Sequence, residues 1–238
     1  MRYKAVIFDM DGTILNTIDD LGGALNYAMK ETGHRHNFTI EEVQTFFGSG
    51  FAVAIQRALS AEAGMGEEDL LKIGTPEEKD FPVVTTEERD RVQKVFRAYY
   101  VDHCHIKTGP YKGIVELIER LREKGIKCAV VSNKQDNAVQ ELVKDMFPHS
   151  FDFHLGERAG IRRKPAPDMI DQCLKVLNVK SEECVYVGDS EVDIETGNNS
   201  NMDVIAVGWG FRKVPYLRSL GDFPIAMNAE ELYNDIIM

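Results

Sequence analysis

Three apolar runs, each four residues long, stop abruptly at polar residues in this 238-residue chain: 5–8, 128–131 and 184–187. A continuous apolar run of this length is typical of a strand that a parallel sheet buries on both faces. In open sheets of that kind, ligands bind just beyond the carboxyl ends of the strands. The polar residues that follow the three runs are therefore predicted to share one edge of a sheet and to form a site there.

From residue 110 onward, candidate strands alternate with stretches of helical periodicity. The strands are expected at 126–131, near 151–155, near 184–188 and near 203–207. Strand–helix repeats of this kind imply a parallel sheet with helices on both faces. The predicted fold class is therefore α/β, with a doubly wound, mainly parallel Rossmann-like sheet as its core.

Residues 16–105 interrupt this alternation with helical patterns and no convincing strand. The helices are expected near 17–32, 40–47, 51–63, 67–73 and 85–104. An all-helical block placed directly after the first strand favours an inserted helical cap domain at 16–105. The α/β core domain would then consist of 1–15 and 106–238, with hinges near 15–17 and 107–110.

Composition and charge argue against several classes of protein. The net charge of −11 argues against nucleic-acid binding, which depends on Lys and Arg contacts to phosphates. No apolar run approaches the length that spans a bilayer, so no membrane partner is expected. The first residues enter a strand at once, which leaves no room for a signal peptide. The four cysteines form no CxxC pair and are expected to be free thiols in a cytoplasmic protein.

The first apolar run ends in Asp9-Met10-Asp11-Gly12, and this segment supports a catalytic hypothesis. If the chain is still extended there, the spacing of two points both carboxylates to one face. Gly12 then allows a turn that brings the backbone close to a ligand. One carboxylate could attack as a nucleophile while the other moves protons. The alternative is that Asp11 only caps the turn before Gly12.

Three later segments place reactive side chains at similar positions. Ser132-Asn133 supplies a hydroxyl and an amide where a strand should stop. Lys164 precedes a proline, which biases it to an extended backbone. Asp189 follows the third apolar run, and Asp193 lies one helical turn further on.

In this order, the four segments resemble the four motifs of the haloacid dehalogenase-like (HAD) hydrolases. The resemblance spans residues 5 to about 213 and includes the closing segment 208–212 (GWGFR). It implies that Asp9 is the nucleophile and forms an aspartyl-phosphate. Asp11 would protonate the leaving group and then take a proton from the attacking water. Two adjacent carboxylates suit this division, since their repulsion tends to raise the pKa of one of them.

The same resemblance implies a Mg²⁺ cofactor, a hard cation that carboxylate oxygens suit. Asp9 and Asp189 would bind it directly, Asp11 through its backbone carbonyl, and Asp193 directly or through water. The alternative for Asp193, and the interpretation favoured for Glu191, is that acidic residues stabilise a helix N-terminus.

The resemblance also implies a set of phosphate ligands. Ser132 would donate its hydroxyl to a phosphate oxygen, together with the backbone N–H groups of Asn133 and Gly12. Lys164 would neutralise the phosphoryl group and restrain the Asp9 carboxylate. Outside this context, Ser132 would be expected to form a turn and Lys164 to be a solvated surface residue.

Residues 46–50 (FFGSG) resemble the cap specificity loop of phosphoglycolate phosphatases, which makes Gly48 and Ser49 candidate substrate-binding residues. The alternative is an ordinary turn between two helices. Arg57, just beyond this loop, is expected at the surface. The segment 103–105 (HCH) is not expected to bind a metal, because histidines spaced by two converge only on a strand and this region has the pattern of a helix end.

These features predict a Mg²⁺-dependent phosphatase that hydrolyses a small phosphorylated metabolite, with 2-phosphoglycolate as the expected substrate. A sugar-phosphate phosphatase, a pyrophosphatase and a β-phosphoglucomutase of the same superfamily stay open as alternatives. A dehalogenase would need neither Mg²⁺ nor Asp11, so the pairing of Asp11 with Asp189 counts against it. An alternative of another class is a non-catalytic phosphate-sensing module. The protein is expected to be a monomer or a homodimer.

Overall fold

The computed structural model describes residues 2–75, 77–78 and 84–238. Met1 and residues 76 and 79–83, which the predicted domain ranges include, lie outside the described residues. The chain divides into two compact units, an α/β unit (Met1–Asn16 and Gly109–Met238) and a helical unit (Thr17–Thr108). Within the described ranges, no helix is both long and apolar enough to cross a membrane.

The strands belong to the α/β unit. They are β1 (Ala5–Phe8), β2 (Leu15–Asn16), β3 (Gly109–Pro110), β4 (Lys127–Gln135), β5 (Phe153–Glu157), β6 (Cys184–Gly188), β7 (Asp203–Val207) and β8 (Ile225–Ala226). Six of them form a parallel sheet in the order β5-β4-β1-β6-β7-β8. The other two, β2 and β3, form a short antiparallel pair where the chain leaves and re-enters this unit.

Eleven α-helices accompany these strands among the described residues. The helical unit contains α1 (Ile18–Glu31), α2 (Ile40–Phe46), α3 (Phe51–Glu62), α4 (Glu67–Lys72) and α5 (Thr86–His103). The α/β unit contains α6 (Ile114–Glu123), α7 (Asp136–Met146), α8 (Asp168–Leu177), α9 (Glu191–Asn199), α10 (Val214–Ser219) and α11 (Ala229–Ile237).

The central strand β1 shows why the sheet is doubly wound. Its alternating side chains enter two different cores, Val6 and Phe8 on one face and Ala5 and Ile7 on the other. Helices α6, α7 and α11 cover the first face, and α8 covers the second. A strand buried on both faces has apolar residues at every position, which is what the first apolar run shows. The predicted α/β fold class is confirmed.

The main departure in the sheet is the length of β4. We expected this strand to stop at residue 131, but it continues to Gln135. The pairing with β5 shifts register between Val131 and Gln135, and Gln135 then pairs with Glu157. The polar residues after 131 therefore lie on an irregular strand end rather than in a loop, because a bulge can hold unpaired residues within a ladder.

Arg57 corrects a second expectation, since its side chain is fully buried rather than exposed. Its guanidinium donates hydrogen bonds to the carbonyl oxygens of Thr45 and Phe46, at the end of α2, and of Leu71 and Ile73, at the end of α4. The last carbonyls of a helix have no partner within the helix, and a buried arginine can satisfy several of them at once.

Candidate active site

The carboxyl ends of β1 and β6 bring three buried aspartates together. Asp9 follows β1, and its backbone N–H still donates to the carbonyl oxygen of Val187 at 2.9 Å. Asp189 follows β6, and Asp193 lies on the first turn of α9. One carboxylate oxygen from each of the three lies within 4.8 Å of the others. The sequence analysis placed these residues at one edge, and the structure brings them into one cluster.

Lys164 is the cation at the centre of this cluster. Its ammonium Nζ lies 2.8 Å from Asp9 Oδ1 and 2.8 Å from Asp193 Oδ1. It also donates a hydrogen bond of 2.8 Å to the hydroxyl of Tyr186. Burial alone would lower the pKa of Lys164, but Asp193 and Asp9 hold it well above its ordinary value. The lysine is therefore charged and buried.

Asp193 uses both of its carboxylate oxygens within the protein. Oδ1 faces Lys164, whereas Oδ2 accepts hydrogen bonds from the backbone N–H groups of Asp189 (3.1 Å) and Ser190 (3.0 Å) and from the Ser190 hydroxyl (2.7 Å). Ser190 and Asp193 form a capping box at the start of α9. The predicted alternative of a helix N-terminal role is thus present in Asp193, in addition to its ion pair.

The Asp189 carboxylate is held from several sides. Oδ1 accepts a hydrogen bond of 3.1 Å from the Thr13 hydroxyl, and Oδ2 accepts one of 2.7 Å from the backbone N–H of Phe211. Gly12 and Gly210 lie so close that a Cβ atom on either would overlap this carboxylate. Gly12 also has a φ of +86°, which a residue with a side chain rarely adopts. Both glycines are therefore required by close approach to Asp189.

Asp11 lies outside the group of three carboxylates and pairs with a second lysine. Lys134 Nζ donates to Asp11 Oδ1 at 3.1 Å and to Oδ2 at 3.3 Å. The Lys134 side chain is fully buried, whereas the Asp11 side chain is 17% exposed. Lys134 was not among the predicted site residues. The available signal was its spacing of two from Ser132 on a strand, which predicts a side chain on the same face.

The three predicted phosphate ligands have these positions. Ser132 is buried, and its Oγ accepts a hydrogen bond of 3.3 Å from a backbone N–H two residues later. Asn133 donates from Nδ2 to the carbonyl oxygen of Lys164 at 3.0 Å. The Gly12 N–H donates to the carbonyl oxygen of Leu15 at 2.9 Å, within the turn. Their contact with a phosphate stays a prediction.

Electrostatics show what the three-carboxylate cluster lacks. Burial raises the pKa of Asp9 to about 6, against the opposing effect of Lys164 and with a further increase from Asp193. Burial, Asp193 and Asp9 together raise the pKa of Asp189 well above its ordinary value. The carboxylates are thus short of positive charge. Buried carboxylate oxygens at this spacing fit a divalent hard cation, which would offset their repulsion.

A buried ion pair between Glu191 and Arg212 lies beside the cluster. This pair was not predicted from the sequence. Arg212 donates from Nε to Glu191 Oε2 at 2.7 Å and from Nη2 to Oε1 at 2.9 Å. The pair fastens the segment 208–212 to the start of α9. In the same segment, Trp209 Nε1 donates to the carbonyl oxygen of Thr13 at 3.1 Å. Glu191 does lie in the first turn of α9, where an acidic residue was expected to stabilise the helix N-terminus, and its carboxylate is in addition buried and paired.

In the helical unit, the loop 46–50 joins α2 to α3. Gly48 and Gly50 adopt positive φ angles of 110° and 89°, and Ser49 between them is buried. This is the geometry of the interhelical turn that we considered as the alternative. Contact of Gly48 and Ser49 with a substrate stays a prediction.

The group of potential metal ligands found among the described residues, Asp9, Asp189 and Asp193, contains no cysteine or histidine. All four cysteines are buried thiols that form no disulfide, as expected. His103 ends α5, where its ring stacks on Tyr99 with centroids 3.7 Å apart. Its Nδ1 lies 2.7 Å from the Tyr99 carbonyl oxygen. The histidine is held by its own helix, in agreement with the expected helix end.

Comparison with known proteins identifies the family. The family model described as haloacid dehalogenase-like hydrolase matches residues 6–207, which include all four motifs. The chain belongs to the haloacid dehalogenase-like hydrolase family. The resemblance predicted from the motifs is thereby confirmed.

Three similar proteins show which members of this family the chain resembles. The phosphoglycolate phosphatase of Psychrobacter arcticus is 28% identical over 221 residues, covering 92% of this chain and 90% of the relative. That of Aquifex aeolicus is 27% identical over 213 residues, covering 89% and 87%. A solved structure from Lactobacillus delbrueckii subsp. bulgaricus, provisionally named phosphoglycolate phosphatase, is 58% identical with a TM-score of 0.97 and 99% coverage of both chains. The chain is therefore similar to this group over nearly its whole length.

Proposed function

We propose that this chain is a Mg²⁺-dependent phosphatase that hydrolyses 2-phosphoglycolate through a phosphorylated Asp9. The chain is a phosphoric monoester hydrolase of the haloacid dehalogenase-like family, with relatives named for phosphoglycolate. The observation that carries the mechanism is the buried Asp9 carboxylate, 2.8 Å from the Lys164 ammonium. A nucleophilic carboxylate needs such a fixed position beside positive charge.

The reaction divides between two carboxylates. An Asp9 oxygen attacks phosphorus, the bond from phosphorus to the ester oxygen breaks, and Asp11 gives its proton to that oxygen. Asp11, now a carboxylate, takes a proton from water, whose oxygen attacks phosphorus and releases inorganic phosphate from Asp9. The contact with Lys134 fixes the position of the Asp11 side chain, which is protonated in the first step and ionised in the second. Lys164 and Ser132 bind the phosphoryl oxygens.

Mg²⁺, when bound, supplies positive charge to the transferring phosphoryl group. Asp9, Asp189 and the backbone carbonyl of Asp11 would hold it. We assign Asp193 an indirect contact through water, because both of its oxygens already accept hydrogen bonds or face Lys164. The proposed metal site is supported by the raised pKa values of Asp9 and Asp189, which indicate a deficit of positive charge around these two carboxyl groups.

We assign substrate selection to the helical unit, which corresponds to the cap domain predicted at residues 16–105. Gly48 and Ser49 are the proposed substrate-contacting residues. The support is the resemblance of the loop 46–50 to the specificity loop of phosphoglycolate phosphatases, together with the names of the relatives. A sugar-phosphate phosphatase, a pyrophosphatase or a β-phosphoglucomutase would share the α/β chemistry and differ in this unit.

The test is phosphate release from a panel of 2-phosphoglycolate, sugar phosphates and pyrophosphate, with Mg²⁺ and with EDTA. We expect Mg²⁺-dependent release with a preference for 2-phosphoglycolate. Asp9→Asn should abolish it, whereas the same substitution at the exposed helical position Asp102 should leave it unchanged.

Each other result removes one part of the proposal. Preference for another ester refutes the substrate and keeps the chemistry, and activity that survives EDTA refutes the metal. Interconversion of sugar phosphates with little phosphate release identifies a mutase. No turnover on any compound favours the non-catalytic phosphate-sensing module.

A further inference from the structure

Tyr186 carries a buried hydroxyl that neither the fold nor the proposed chemistry accounts for. The residue lies in the middle of β6 and is fully buried. Its ring packs with the apolar residues on the face of the sheet that α8 covers, and a phenylalanine would fill the same space. The hydroxyl, however, accepts a hydrogen bond of 2.8 Å from Lys164 Nζ and donates one of 3.0 Å to the carbonyl oxygen of Val131.

The directions of these hydrogen bonds are fixed by chemistry. A lysine ammonium has three N–H donors and no acceptor, so the phenol oxygen must accept from Lys164. The phenol proton must then point to the Val131 carbonyl. Burial raises the pKa of Tyr186 well above its ordinary value, although the nearby Lys164 lowers it, so the hydroxyl keeps its proton.

The contacts of the Lys164 ammonium show what the Tyr186 hydroxyl contributes. Three acceptors lie 2.8 Å from the ammonium: an oxygen of Asp9, an oxygen of Asp193 and the Tyr186 hydroxyl. The ammonium donates hydrogen bonds to the oxygens of Asp193 and Tyr186 and lies against the Asp9 oxygen in an ion pair, and these contacts hold it at one point. Tyr186 is the only neutral member of the three, so it restrains the lysine without adding another negative charge to a cluster that already lacks positive charge.

Tyr186 also joins two motifs that are far apart in the chain. Its hydroxyl bridges Lys164 to Val131, the residue immediately before Ser132. Lys164 contacts Tyr186 directly, and Ser132 is linked to it through the adjacent Val131. One side chain on β6 therefore connects the two residues that the proposed mechanism places on phosphoryl oxygens. Since a displacement of about 1 Å can lower a rate a hundredfold, such a link matters for turnover.

We propose that Tyr186 is a positioning residue whose hydroxyl holds the Lys164 ammonium against Asp9. The inference rests on the proposed function in so far as that function gives Asp9 and Lys164 their roles. The contact itself is a property of the structure and is testable without turnover.

The experiment compares Tyr186→Phe with Thr196→Val. The control also removes one buried hydroxyl that donates to a backbone carbonyl, that of Val192 at 2.6 Å, on a helix of the same unit. For Tyr186→Phe we expect kcat to fall about tenfold, the effect of one hydrogen bond to a charged group, with KM little changed. Thr196→Val should keep the wild-type kcat.

A second measurement does not depend on activity. In protein labelled with ¹⁵N-lysine, the ammonium signal of Lys164, assigned by its loss in Lys164→Arg, should exchange its protons slowly because the ammonium is buried and donates hydrogen bonds to Asp193 and Tyr186. Tyr186→Phe should accelerate that exchange, whereas Thr196→Val should not. The buried ammonium of Lys134 is the internal reference and should be unaffected in both variants.

The two measurements separate this inference from the proposed function. If the wild-type protein hydrolyses no phosphate ester, the proposed function fails and the exchange rate alone decides whether Tyr186 restrains Lys164. Unchanged exchange in Tyr186→Phe overturns the inference, whatever happens to kcat. A kcat equal to that of Thr196→Val overturns the claim that the restraint serves turnover.

Discussion

Replacing Arg212 with methionine should destabilise the protein by about 3–5 kcal/mol, because it removes the guanidinium that pairs with the buried Glu191 carboxylate. The magnitude follows from the geometry: both guanidinium contacts are short, at 2.7 and 2.9 Å, and the two side chains are only 2% and 6% exposed. Solvent therefore screens this pair very little. A loss of this size corresponds to a fall in Tm of roughly 6–20 °C for a chain of this length.

The assay is thermal and urea unfolding at pH 7, followed by circular dichroism, for three variants. Arg212→Met carries the prediction. The double variant Arg212→Met/Glu191→Leu should recover most of the lost stability, since replacing both members of a buried pair by apolar residues is often close to neutral. Arg162→Met, which breaks an exposed pair with Asp168, is the control and should move the midpoint little.

The same variant should also weaken the proposed metal site. The ion pair fastens the segment 208–212, from which the Phe211 N–H donates to Asp189 Oδ2. Loss of a residue that orients a metal ligand typically lowers affinity 10- to 100-fold, so Mg²⁺ titration by calorimetry should show a Kd raised by about that factor. The reasoning is refuted if Arg212→Met loses less than about 1 kcal/mol, or if the double variant is less stable than the single one.

The remaining predictions concern glycines and thiols. Gly12→Ala should abolish Mg²⁺ binding and lower Tm, because the new Cβ overlaps the Asp189 carboxylate. The control Gly23→Ala has open space around it in α1 and should raise Tm slightly. Equal Tm values for the two variants would contradict this prediction. Cys128 should resist alkylation by iodoacetamide at pH 8 in the folded protein and react on unfolding, because burial raises its pKa to about 12; mass spectrometry counts the modified sites, and rapid labelling of the native protein would show that the thiol is accessible.

The sheet could be predicted from the sequence because its strands are buried on both faces. Such strands are apolar at every position, and three of them appear as apolar runs that end in polar residues. The course of β4 after Val131 could not be predicted in this way. Its last four residues are polar, and they stay extended only because Gln135 resumes pairing with Glu157 after a register shift. Pairing across a bulge leaves no local pattern.

The sequence could predict that the candidate site residues lie together, but it could not predict most of their partners. Motif order placed Asp9, Asp11, Lys164 and Asp189 at one edge of the sheet. It gave no reason for Asp11 to pair with Lys134, which lies 123 residues away in the chain. The same holds for the other buried charged residues, because each is paired with a residue from a distant segment of the chain. A lone arginine or lysine in a sequence carries no signal of that partner.

The charges at this edge explain how an acidic protein can receive an anionic substrate. If every group is ionised, the four carboxylates (Asp9, Asp11, Asp189, Asp193) and the two ammonium groups (Lys134, Lys164) leave a formal charge of −2, and protonation of Asp11 for the proposed acid step leaves −1. One divalent cation would cancel the first charge and reverse the second. Because buried charges interact strongly at short range and exposed ones are screened within about 10 Å, the local balance outweighs the net charge of −11. On the proposed function, the site would repel a phosphate ester until a divalent cation is bound, and would accept it afterwards.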